Sequence, residues 1–171
     1  MINKKMEQAI NSQINAEFYS AYLYLAMAAD FESINLKGFA SWMRNQAMEE
    51  LSHGKKLYDY LISRGGKVIL VDIKAPPKSW KTPIIAFQDA YKHEQKVTEL
   101  INNLVDLSIE LKDYATNAFL QWFVNEQVEE EGNVNDIIHS MKLIDKNTAG
   151  LYTLDKELGQ RIFTTPTGVT I

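Results

Sequence analysis

A chain of 171 residues with 46% hydrophobic and 23% charged residues has the balance of one globular domain with a sizeable core, which excludes disorder on a large scale. A formal charge of -4 leaves no electrostatic footprint for nucleic acid or an anionic membrane, and makes cations the expected charged partners. The absence of cysteine removes disulfides, thiolate metal sites and cysteine nucleophiles together, so any bound metal must be held by oxygen and nitrogen.

The N-terminus, Met1-Ile2-Asn3-Lys4-Lys5, runs directly into an amphipathic pattern. It shows no apolar leader core and no membrane-length apolar stretch, so a soluble, cytoplasmic protein without membrane partners is expected. Four segments then carry apolar residues at alternating steps of three and four, the period of one helix face. They predict helices over about 4 to 31 (α1), 36 to 64 (α2), 83 to 111 (α3) and 113 to 145 (α4). Asn35, Thr82-Pro83 and Asp113 are expected helix starts, and Gly65-Gly66 an expected stop after α2. Helices of roughly 42 Å or more must lie side by side in one domain. The α1–α2 and α3–α4 connections are short enough to join antiparallel neighbours. Residues 65 to 81 differ: Gly65-Gly66, an apolar run from Val68 to Val71, then Pro76-Pro77 read as an extended strap. Such a strap reaches roughly 56 Å, enough to carry the chain back along the bundle. The expected fold is all-α, a four-helix bundle with one long crossover between α2 and α3. A short fifth helix (α5) is expected over 148 to 163 on Leu151, Leu154, Leu158 and Ile162, closing a single domain of residues 1 to 163, with 164 to 171 a loose tail.

Polar residues interrupt the inward seams. α1 gives Ile10, Ile14, Glu17, Ala21, Tyr24, Ala28, Phe31; α2 gives Phe39, Met43, Gln46, Glu50, His53, Leu57, Leu61. α3 offers Glu94 between Phe87 and Val97, and α4 offers Gln127 and Glu130 between Phe123 and Val134. Glu17, Glu50, His53, Glu94, Gln127 and Glu130 all lie near the midpoints of their helices, and midpoints meet whichever way helices run. Four carboxylates, an imidazole and an amide are therefore expected at one level of one core. No Lys or Arg occupies the seams to neutralise them, and leaving them unpaired would cost several kcal/mol per ion. A multivalent cation is the simplest remedy. Carboxylate oxygen with one imidazole suits ferrous iron or manganese, with zinc tolerated. Two ions are expected, with Glu50 as bridge, Glu17 and His53 on one, and Glu94 and Glu130 on the other.

The runs Glu49-Glu50-Leu51-Ser52-His53, Tyr91-Lys92-His93-Glu94-Gln95 and Phe119-Leu120-Gln121-Trp122-Phe123-Val124-Asn125-Glu126-Gln127-Val128-Glu129-Glu130-Glu131 resemble bacterial-type non-haem ferritins of the ferritin-like di-iron superfamily. The resemblance spans about residues 5 to 163. It implies an iron-storing ferroxidase centre built from Glu17, Glu50, His53, Glu94, Gln127 and Glu130, with dioxygen or hydrogen peroxide as oxidant. It also implies a hollow 24-subunit homo-oligomeric shell that keeps ferric mineral. Glu49, Glu126 and Glu129 would add a third iron position sharing Glu130, and Tyr24 would stand beside the centre as an electron donor.

Where many di-iron bundles repeat Glu-x-x-His on the fourth helix, this chain has Gln127-x-x-Glu130, so the second iron is expected to be held loosely. Bacterioferritins hold haem with a methionine just before the site histidine; Ser52 stands there, and no haem is expected. Gly132 inside α4 is expected to permit a bend. A rubrerythrin-like peroxide-reducing bundle is the rival enzyme, usually marked by a cysteine-rich domain absent here. A bundle holding a structural metal is the non-enzymatic rival.

Overall fold

In the computed structural model, residues 1–145 and 147–165 are described. Five helices, with no strand among those residues, follow in order: α1 Lys4–Ser33, α2 Lys37–Ser63, α3 Pro83–Glu110, α4 Tyr114–Ile144 and α5 Thr148–Leu158. None is long and apolar enough to cross a membrane.

Local chemistry sets most boundaries. Asn3 caps α1 by accepting from Lys5 N, Thr82 caps α3 with Pro83 in its first turn, and Asp113 caps α4 by accepting from Thr116 N. Gly65, at φ 71°, ends α2, with Gly66 N donating back to Leu61 O. Asn35 departs from expectation: at φ 61° it makes the tight turn between α1 and α2, a conformation asparagine tolerates better than most residues. The α2 cap position falls to Leu36, whose side chain accepts nothing. Asp155 of α5 supplies the missing acceptor, taking hydrogen bonds from Gly38 N at 2.7 Å and Phe39 N at 3.1 Å.

The core forms two apolar clusters, one at each end of the bundle. The first gathers Met27, Phe31, Phe39, Met43, Phe87, Val134 and Met141; the second gathers Ile10, Ile14, Leu57, Leu61, Val97, Ile101, Leu120 and Phe123. α1 and α4 run from the second cluster to the first, whereas α2 and α3 run from the first to the second. Consecutive helices α2 and α3 are thus parallel, and the strap must return the chain. It does so along α1: Asn11 donates to Lys67 O and accepts from Ile69 N, Asn15 donates to Val71 O and Asp72 O, and Asp30 accepts from Trp80 N. This is the expected single crossover.

α5 is shorter than expected. It ends at Leu158, and the turn at Gly159 and Gln160 sends the chain back onto α2. Leu154 and Leu158 are buried as expected, but Ile162 is 84% exposed, because the helical register no longer holds beyond Gly159. α4 continues unbroken through Gly132, whose exposed Cα faces open space. Of the expected loose tail, residues 166–171 lie outside the described residues.

Candidate metal centre

The polar band sits between the two apolar clusters. Glu17 (α1), Gln46, Glu50 and His53 (α2), Glu94 (α3), and Gln127 and Glu130 (α4) are each no more than 4% exposed. The helical period puts them there, since each occupies the seam position that its apolar neighbours occupy one turn away.

Glu17, Glu50 and His53 offer ligand atoms all within 4.8 Å of one another. His53 Nδ1 lies 3.6 Å from Glu50 Oε2 and 3.9 Å from Glu17 Oε2. Gln13 Nε2 donates to Glu17 Oε1 at 2.8 Å and fixes that carboxylate from one turn earlier. The far side is bound less directly: the Tyr24 hydroxyl donates to Glu94, and Gln127 Nε2 lies 3.4 Å from Glu94 Oε2 and 3.3 Å from Thr98 Oγ1. Gln46 Nε2 joins the two sides, donating to Glu130 Oε2 at 2.6 Å and lying 3.4 Å from Glu50 Oε1. Glu94 and Glu130 belong to the same layer but not to the close group of three. Trp122 and Phe123 pack edge-on against the His53 ring.

Burial alone pushes the proton affinities far from their ordinary values. Desolvation first, then the charges of Glu94, Glu17 and Glu130, hold the Glu50 carboxyl well above the carboxylate range. Glu17 and Glu130 are raised for the same leading reason, and Glu94 is raised to about 7. His53 moves the other way, to about 4, through burial and then the nearby Lys56 charge. Carboxyls that keep protons and an imidazole that stays neutral are what a buried site without a counter-charge must do. Three buried polar atoms still have no hydrogen-bond partner: Glu17 Oε2, His53 Nε2 and Glu130 Oε1. All three are metal-ligand atoms of N or O type in the same layer, so the donor set fits a hard or borderline cation.

A second group lies at the edge of the first. Glu49, His53 and Glu126 have ligand atoms within 4.8 Å of one another. Glu129, expected to complete that position, is exposed and outside this close group, although Glu49 and Glu126 are raised first by burial and then also by its charge. Two further side chains belong to the surroundings: Gln46, expected in the α2 seam but given no role there, and Arg161. Gln46 was visible in the seam, and its signal was an amide one turn before Glu50. Arg161 had no signal, because the cation reaches the site from beyond α5: it donates to Gln46 Oε1 at 2.7 Å and to Glu49 Oε2. The seams carry no cation, as expected, but the band is not without one.

Four-helix bundles share packing rules across many activities, so the comparison with known proteins decides the family. The ferritin-like domain matches residues 7–144. The chain belongs to the ferritin family. A bacterial non-heme ferritin of Bacteroides fragilis is 42% identical over 161 residues, covering 94% of this chain and all of that protein. One from Staphylococcus saprophyticus is 42% identical over 163 residues, covering 95% and 98%. Among solved structures, an open pore ferritin from the archaeon Archaeoglobus fulgidus superposes with a TM-score of 0.94 at 50% identity, covering 95% of this chain and all of the other. The ferritin fold therefore accounts for the crossover.

Proposed function

We propose that this ferritin-family chain stores iron and is a ferroxidase, taking ferrous iron as substrate at the mid-bundle centre. The observation that carries the reading is the layer of four buried carboxylates and one neutral imidazole with three ligand atoms lacking any partner. Glu17, His53 and Glu50 hold one ferrous ion, while Glu94 and Glu130, with the Gln127 amide beside them, hold the second across the bridging Glu50. Negative carboxylates favour the ferric state. Two ferrous ions give one electron each, and dioxygen takes both with two protons to become hydrogen peroxide; hydrogen peroxide can itself serve as oxidant. Tyr24, hydrogen-bonded to Glu94, stands as the nearby electron donor, and Glu49 and Glu126, beside His53 and with the exposed Glu129 at the edge, form a third, outlying iron position. With Ser52 immediately before His53, the reading includes no haem.

Residues 1 to 163 act as one domain that assembles into a hollow cytoplasmic shell of 24 copies, with ferric mineral inside and the tail 164 to 171 free. Support for self-association comes from an exposed apolar strip on α1 and the strap: Tyr22, Leu25, Ile69, Leu70, Val71 and Ile73 are each 42–65% exposed. Aerobic addition of ferrous iron tests the reading. Rapid oxidation with many irons retained per subunit is expected; retention of a fixed few without turnover would favour a structural metal instead.

Two further outcomes are expected. Gln127 contributes a neutral amide to its side of the centre, so titration of the metal-free protein with ferrous iron under anaerobic conditions gives two unequal steps. Gln127→Glu narrows the gap roughly tenfold, and equal steps in the parent protein would contradict the loose second site.

The other outcome concerns pH. Glu94 keeps its proton to about 7 when folded but releases it near 4.5 when unfolded. That difference favours the fold below 4.5 and is lost as the pH rises through 7. His53 stays neutral down to about 4, against 6.5 unfolded, which favours the fold above 6.5 and is lost on acidification towards 4. Metal must displace the carboxyl protons, so zinc raises Tm more at pH 7.5 than at pH 5.5 and releases protons on binding. An equal rise at both values would show that these carboxyls are not the ligands.

A further inference from the structure

Beyond α5 the returning chain is received by one face of α2, where Trp42, Asn45, Gln46 and Glu49 follow at helical spacing. Asn45 fixes the backbone, donating Nδ2 to Arg161 O at 3.1 Å and accepting at Oδ1 from Phe163 N at 2.7 Å. The Arg161 guanidinium lies over the Trp42 ring, 4.5 Å from its centroid. It donates Nη1 to Gln46 Oε1 at 2.7 Å and Nη2 to Glu49 Oε2 at 2.5 Å. Four interactions thus converge on a residue whose side chain is only 22% exposed. An ordinary surface ion pair has no such scaffold.

The partner chosen matters more than the pairing. Glu49 belongs with Glu126 and His53 to a group whose ligand atoms lie within 4.8 Å of one another, and the buried His53 Nε2 has no hydrogen-bond partner. Lys56 also acts on this group, on Glu126 and His53, while packing over Trp122. A metal ion arriving at Glu49 meets a guanidinium already bound there.

We infer that Arg161 is a tethered counter-ion that occupies Glu49 and competes with incoming metal for the outlying position. The inference rests on the metal-centre reading above and adds a residue from outside the four long helices. Tethering keeps the guanidinium at high effective concentration, so the outlying position fills last and empties first. Arg161 touches no ligand of the inner pair, and its role is to set the order of filling.

Calorimetric titration of the assembled, metal-free protein with zinc, which has no redox chemistry, tests this. In Arg161→Gln the weakest zinc step tightens about tenfold, whereas Arg161→Lys, which keeps the charge, stays within about threefold of the parent. An unchanged or weaker last step in Arg161→Gln overturns the inference, as does equal tightening in both variants, which would assign the effect to packing. The earlier zinc steps separate the two levels of the reading. If they are present in the parent and removed by Glu50→Ala, the metal centre stands whatever Arg161 does. If no zinc step responds to Glu50→Ala, the centre itself fails, and the counter-ion with it.

Discussion

Glu50→Ala is expected to leave the shell assembled and slow ferrous iron oxidation by roughly a hundredfold or more. Glu50 is the one carboxylate near both halves of the centre: it faces His53 at 3.6 Å, receives Gln46 at 3.4 Å, and its carboxyl is raised by burial and then by the charges of Glu94, Glu17 and Glu130. Its removal takes the shared ligand from both ions at once, so the loss exceeds that for any ligand on one side only. Assembly should survive, because Glu50 is buried and its substitution alters no residue of the exposed apolar strip on α1 and the strap. Stopped-flow oxidation together with size-exclusion mass checks both halves of the expectation. A Tm measurement adds a third: zinc at about a hundred times its Kd stabilises the parent by ~2.7 kcal/mol, and that gain disappears in the variant. Oxidation at the parental rate would refute the assignment of the centre.

Gly38→Ala is expected to be the most damaging small change outside the centre. A Cβ at Gly38 would stand 1.5 Å from the Asp155 carbonyl oxygen and 2.4 Å from its carbonyl carbon. Both are backbone atoms of α5 and cannot rotate aside. The short helix must move away, and with it goes the Asp155 carboxylate that accepts from Gly38 N and Phe39 N. The α2 N-terminus then loses its acceptor in a buried place, and Leu154 and Leu158 lose their seat. Together these cost about 3 kcal/mol or more. Denaturant unfolding measures the loss, and hydrogen exchange locates it: the Phe39 amide and the α5 amides should exchange faster while mid-bundle amides of α1 keep their protection. Parental protection of α5 would show that the close approach is not rigid.

The fold was legible in the sequence for identifiable reasons. A 3.6-residue period sustained over four long segments leaves little choice of element, and the Gly65-Gly66 and Pro76-Pro77 punctuation marks the strap. The central layer was legible because helix midpoints must meet, so Glu17, Glu50, His53, Glu94, Gln127 and Glu130 could be placed at one depth before any contact was known. What escaped depends on how an end piece docks. Asp155 reads as an ordinary polar residue of a short helix until α5 is seen to cap α2. Arg161 lies in a stretch where periodicity predicts more helix, and the turn at Gly159 redirects it onto Glu49. Asn35 was placed at the right turn but given the wrong task, because an asparagine before a helix signals both a cap and a left-handed turn.

The crossover divides the molecule into two antiparallel hairpins, α1 with α2 and α3 with α4, linked in sequence by the strap pegged along α1 and packed together through the shared core. Each hairpin brings three of the six central side chains: Glu17, Glu50 and His53 from the first, Glu94, Gln127 and Glu130 from the second. In the proposed reading, the ion that Glu94 and Glu130 share with Glu50 spans both hairpins and would act as a rivet through the seam, so that they could not part without letting it go. Retention of that ion and closure of the subunit would then be one equilibrium, so a loaded subunit would resist opening in proportion to how tightly it grips its load.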